Sequence, residues 1–191
     1  QPLEFFEELR NVRDEVRTTS RFAYVAITHR MPHKVVGNQR FENSKLYELL
    51  REQMYALGPY RPADATAMLH SLAARENLTI DAGHLDRIRE AGGGHSGIMY
   101  AIFQTIKPNF SFPLPLLVDL AAKEGWVREA CEKLWLHLHS SERTALRSLA
   151  AGRLPEPWLL DILYKRGLIT SVQTPRLFAR TFEVYVDSKC D

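Results

Sequence analysis

Long hydrophobic runs are missing from this chain. No apolar stretch approaches the roughly 18 residues that a membrane-crossing helix needs, and none has the pattern of a signal peptide, so no membrane partner is expected. Cysteine is almost absent. Cys131 and Cys190 are the only two, they form no CxxC pair, and their scarcity fits a reducing, cytoplasmic setting. Cys131 falls in an apolar-periodic segment and is expected to pack as a small hydrophobe. An excess of one charge is missing too. The chain carries 25 basic and 23 acidic side chains for a net charge of +2, with 14 and 13 of them in residues 1–110. A surface that tracks nucleic-acid phosphates needs a concentrated basic excess, so nucleic acid is a disfavoured partner. Internal repeats and low-complexity segments are absent as well.

What is present is an ordinary globular composition, 45% apolar and 25% charged over 191 residues, enough for a substantial core. In residues 3–17, Phe5, Leu9, Val12 and Val16 share one helical face with charges opposite. Residues 22–28, F-A-Y-V-A-I-T, predict a buried strand, and 54–57 a second one stopped by Gly58 and Pro59. A helix capped by Asn43 or Ser44 lies between them. This helix–strand cadence is that of an α/β fold, but two strands do not complete a sheet. Residues 1–60 are therefore expected to be the remnant of an α/β domain. The chain opens on Gln1 inside the first helical pattern, which predicts a piece excised from a longer protein.

From Pro62 the pattern becomes helical, predicting a mainly α chain. Pro62 suits a first helical position, and Ala65, Met68, Leu69 and Leu72 follow on one face. A second helix is predicted from Thr79 or Asp81 to the glycine run, and a third from Ser96 to about Ile106. These make a small bundle over 61–110. P-N-F-S-F-P-L-P at 108–115 interrupts it. Further helices are predicted at about 115–123, 126–138, 140–150 with a serine cap, and 155–167 closed by glycine. Short strands at 168–172 and 176–180 would follow. Helices followed by a two-stranded hairpin predict a winged-helix domain over 111–191.

The stretch E-A-G-G-G-H-S-G-I-M-Y poses the functional question. Glycines before a helix let backbone N–H groups approach an anion or a flat ring, and the helix dipole favours negative charge there. The same glycines also serve simply to end one helix and turn sharply into the next. Both readings stay open on the residues alone.

The order of the pieces carries a resemblance. A charged amphipathic helix, a strand ending A-I-T-H-R, a helix leading to Y-A-L-G-P-Y, a helical module with G-G-H-S-G-I-M and a last domain ending L-F-A-R-T-F-E-V-Y-V follow one another. In this order the chain resembles the C-terminal half of STAND-type AAA+ ATPases, a group that includes NB-ARC and NACHT proteins and many bacterial signalling ATPases. The resemblance covers nearly the whole chain as an arrangement of modules. It implies that 61–110 is a helical lid and that Thr28, beside His29 and Arg30, stands at the sensor position near a γ-phosphate. It also implies that Pro59 lies where the chain enters the lid. Gly93, Gly94, His95 and Ser96 would form the lid motif that packs on adenine, with Ser96 where proline is usual.

The resemblance implies ATP or ADP with magnesium in the full-length protein, and an upstream ATPase core as partner. It further implies nucleotide sensing relayed to an effector. No G-x-x-x-x-G-K-[ST] loop and no apolar strand ending in D-[DE] occurs in the chain, so both would lie upstream of Gln1. The expectation is that these residues alone neither hydrolyse ATP nor bind it tightly.

Other candidates have plainer readings. His29 and His33 flank Pro32 without a third ligand and read as loop histidines. His137 and His139 are expected to cap helix C-terminal carbonyls. Arg61, Arg87 and Arg89 are candidate phosphate sensors, with solvated helix charges as the default. The helix at 156–166 would be the recognition helix of a winged-helix DNA-binding regulator, the alternative function. Its Trp158, Leu159, Leu160, Ile162, Leu163 and Tyr164 instead suit burial against a protein partner, since groove readout needs polar and basic side chains. A scaffold binding through 108–115 is a third possibility.

Overall fold

A computed structural model describes residues 57–105 and 112–189. The chain divides after Tyr55, and every described residue belongs to the second compact unit, Ala56–Asp191. The α/β remnant expected over 1–60, with its two strands, lies outside the described residues except for its last positions. So do residues 108–111 of the 108–115 segment.

The described residues are mainly helical. Eight helices follow one another: α1 Pro62–Arg75, α2 Ala82–Gly92, α3 Ser96–Thr105, α4 Leu114–Lys123, α5 Gly125–Leu136, α6 Ser140–Ala150, α7 Pro157–Lys165 and α8 Arg180–Asp187. Their starts follow from local chemistry. Proline begins α1 and α7, where its missing N–H costs nothing. Asp81 caps α2 by accepting the His84 N–H at 3.1 Å.

One start differs from expectation. The cap of α6 is His139, not a serine: its Nδ1 accepts the Ser141 N–H at 3.3 Å, while Glu142 accepts the His139 backbone N–H at 2.7 Å. His139 thus caps the following helix rather than the preceding carbonyls. His137 does meet the carbonyl of Lys133, with its Nδ1 2.5 Å away.

The hairpin expected at 168–180 is reduced to a single antiparallel bridge between Ile169 and Leu177. Thr170 N–H donates to Arg176 O at 2.9 Å and Phe178 N–H to Leu168 O at 3.1 Å. Between them Ser171 Oγ accepts the Gln173 and Thr174 N–H groups, which turns the chain before a ladder can extend. The expected second strand then gives way to α8 at Arg180. The β-prone letters T-F-E-V-Y-V are helical because Phe182, Tyr185 and Val186 at i, i+3 and i+4 all point into the core.

That helix locks the unit together. It packs against α2, α4, α5 and α6. Phe182 is fully buried between Phe178 and Tyr185, with ring centroids 5.4 and 6.0 Å away. The Tyr185 hydroxyl donates to Glu132 of α5, whose carboxylate also meets Lys189 at 3.2 Å. These two donors hold the Glu132 carboxyl below its ordinary range. Beside them Cys131 is buried and its thiol is pushed up to about 12, the packing role read from sequence. A second tie joins α6 to the end of α7, where Arg166 donates to the buried Glu142 at 2.5 Å. One continuous buried cluster runs from Ala65 of α1 to Val186 of α8.

If α8 is the keystone, Phe182→Ala should lower the unfolding free energy by about 3–5 kcal/mol. The urea midpoint should shift with little change in m, and a shift near zero would show that α8 is not part of the cooperative core.

Candidate functional site

The three consecutive glycines each meet a different part of the chain. A Cβ on Gly92 would lie 2.6 Å from Met99 Cγ, so α2 and α3 cross closely there. Gly93 and Gly94 both take left-handed backbone, with φ of 58° and 77°. A Cβ on Gly93 would lie 2.1 Å from the carbonyl oxygen of Phe178. On Gly94 it would lie 2.6 Å from the carbonyl oxygen of Tyr60 and 3.3 Å from Pro59 Cβ. The Tyr60 N–H in turn donates to Gly94 O at 2.9 Å. At Gly93 and Gly94 the space left by the missing side chains is filled by the protein's own backbone.

His95 follows and fastens the start of α3. Its carbonyl accepts the Met99 N–H at 2.9 Å, and its Nδ1 accepts the Ile98 N–H at 3.3 Å. The imidazole lies 6.1 Å from the Phe178 ring. Ser96 is exposed.

Beside this turn is a shallow cavity of about 320 Å³, lined in part by Tyr60, Arg89, Glu90, Gly93, Gly94 and Phe178. Tyr60 and Phe178 are the aromatic residues of its lining. The charges at its edge are already paired, Arg89 with Asp86 at 3.1 Å and Glu90 with Arg180 at 3.2 Å. The buried Nε of Arg89 nevertheless has no hydrogen-bond partner. Among the described residues no group of three or more His, Cys, Asp or Glu side chains gathers to hold a metal.

The fold therefore brings together Pro59, Gly93, Gly94 and His95 of the residues singled out in sequence, with Ser96 at the neighbouring surface. Thr28, His29, Arg30 and His33 lie outside the described residues. Of the candidate sensors, only Arg89 lines the cavity. Arg61 pairs with Asp64 at 3.0 Å in the exposed first turn of α1, and Arg87 approaches Asp81 at 3.9 Å. Sequence reasoning missed Tyr60, Phe178 and Glu90. The signal for Glu90 was its place one turn before the glycines; Phe178 had none, since only the folded chain carries it there.

Two histidines flank the turn, His84 at the start of α2 and His95. His84 is 2% exposed, and neither of its ring nitrogens has a partner. Burial pushes both histidines below the ordinary 6.5, with Arg87 adding to the effect at His84 and Asp81 opposing it. The unfolded chain takes up these protons near 6.5 and the folded chain only at lower pH. Stability from the neutral rings is thus complete above pH 6.5 and declines as pH falls below it. The urea midpoint should drop between pH 7.5 and 5.5, and His84→Leu should flatten that drop. An undiminished slope in the variant would assign the protons elsewhere.

Among the described residues no helix is long and apolar enough to cross a membrane. Compared with known protein families, with curated sequences and with solved structures, the chain has no match.

Proposed function

We propose that this chain is the nucleotide-sensing, regulatory C-terminal part of a STAND-like AAA+ ATPase. It would relay nucleotide state to a partner or effector domain and be non-catalytic by itself. In this reading 57–60 is the passage into a helical lid formed by α1, α2 and α3, and α6, α7 and the bridged turn belong to a winged-helix domain. ATP or ADP with magnesium would be held mainly by an upstream core, with the lid contributing through the turn at Gly93 and Gly94.

One observation carries the reading. The two segments that the resemblance assigns to the nucleotide, around Pro59 and at Gly93 to Ser96, are distant in sequence yet converge at the Tyr60–Gly94 hydrogen bond and its adjacent cavity. A nucleotide at that cavity would touch both the passage from the core and the helical module. Continuity of the core from α1 to α8 further supports movement as one body, the relay that such a switch requires.

The effector contact is assigned to α7. Trp158, Ile162 and Tyr164 stay 58%, 37% and 51% exposed there, after Leu154 at 76%. The basic groups at its end are engaged, Lys165 with Asp161 at 2.6 Å and Arg166 with Glu142. Exposed apolar side chains, Trp158 and Ile162 on one face and Tyr164 on another, beside paired charges suit a protein partner and disfavour the DNA-binding alternative.

Calorimetric titration with Mg·ADP tests the proposal. This chain alone should give negligible heat, and the protein extended through whatever native residues precede Gln1 should bind. In the extended protein Gly94→Ala should weaken affinity at least about tenfold, roughly 1.4 kcal/mol. An extended protein that binds no ADP would falsify the assignment.

A further inference from the structure

We propose that Gly58, Pro59 and Tyr60 are a latch seated against two left-handed glycines, Gly94 and Gly167. The latch couples whatever moves the preceding chain to the far end of α7. The inference does not depend on nucleotide binding.

The slot has two walls. On one side is Gly94, described above. On the other is Gly167, two residues past the end of α7, with φ of 66°. A Cβ on Gly167 would lie 2.4 Å from Pro59 Cδ and 3.1 Å from Gly58 Cα. Pro59 thus touches both the α2–α3 turn and the α7 terminus: Gly167 is needed to clear its ring, and Gly94 to clear the carbonyl of the next residue, Tyr60, 2.6 Å from where a Cβ would lie. Pro59 suits the place because its φ is fixed and it has no N–H to satisfy. The next residue donates the bond that pins the strand, Tyr60 N–H to Gly94 O.

The α7 wall is itself fastened. Gly167 N–H donates to Tyr164 O at 2.8 Å and Leu168 N–H to Leu163 O at 2.9 Å, closing the helix end. Leu163 and Leu168 are buried, so displacing Gly167 strains the core side of α7. The latch lies near the start of the compact unit that begins at Ala56. A pull on 57–60 therefore acts on the helix that exposes Trp158 and Ile162. Close-packed backbone contacts of this kind switch between discrete arrangements rather than stretching.

Amide hydrogen exchange on the full chain tests this. Gly167→Ala should raise exchange at the Tyr60 amide about tenfold by expelling Pro59. Gly152→Ala is the control: φ is 71° there and nothing lies within 4 Å of a Cβ, so it carries the left-handed strain without the clash. It should leave Tyr60 unchanged. Equal effects of the two variants would overturn the slot.

Pro59→Gly provides the reverse test and is also the fallback should Gly167→Ala not fold. It leaves both walls intact while loosening the latch. Exchange should rise about tenfold at the Gly167 and Leu168 amides, while the α1 amides Ala65 and Leu69 keep their protection. A rise confined to Tyr60, or a uniform rise across the unit, would refute the coupling.

Discussion

Close approach to the backbone at glycines, where no Cβ intervenes, is the constraint on which the described unit depends. Gly93 admits the carbonyl of Phe178, Gly94 admits Tyr60, and Gly167 admits Pro59. Each contact joins residues far apart in sequence, and together they gather the start of α1, the α2–α3 turn, the end of α7 and the segment leading into α8. All three glycines have positive φ. Replacing any of them would combine a left-handed cost of about 1–2 kcal/mol with a steric clash. The apolar core supplies the bulk of the stabilisation, but these contacts decide how the helices meet.

The glycine run consequently answers its own question in an unexpected way. It was open whether it holds a ligand or makes a joint, and as a joint it does more than turn the chain. At Gly93 and Gly94 its inner side is filled by protein backbone, and its outer side borders a cavity lined by Tyr60, Phe178 and a paired Arg89. The nucleotide reading rests on that outer side. The same sharp turn clears room for Tyr60 and places Gly93 and Gly94 in the cavity wall.

Much of the helical layout was legible because it is local. The spacing of Ala65, Met68, Leu69 and Leu72 gives α1, and Asp81 gives the start of α2 through its side-chain cap. Two local failures have physical causes. His139 caps α6 because a neutral imidazole nitrogen accepts an N–H as a serine oxygen does, though the sequence shows a serine next door. Helix α8 is written in β-prone letters, and its helicity is set by the partners Phe178 and Glu132 rather than by propensity. Of the site, Pro59 and the glycines were visible as motifs. Their meeting, and the part played by Gly167, were not, because closure across the fold leaves no periodic trace.

The left-handed glycines with filled Cβ positions also bear on ancestry. At Gly93, Gly94 and Gly167 the usable alphabet shrinks to one letter, whereas the apolar positions of α7 and α8 accept many interchangeable hydrophobes. Divergence would then erase overall likeness long before it touched these three places. A paired glycine, a long helical interval and a lone glycine after a short helix, preceded by a proline near the start of the first helix, form a sparse signature. By it, remote descendants of the same joint could be recognised.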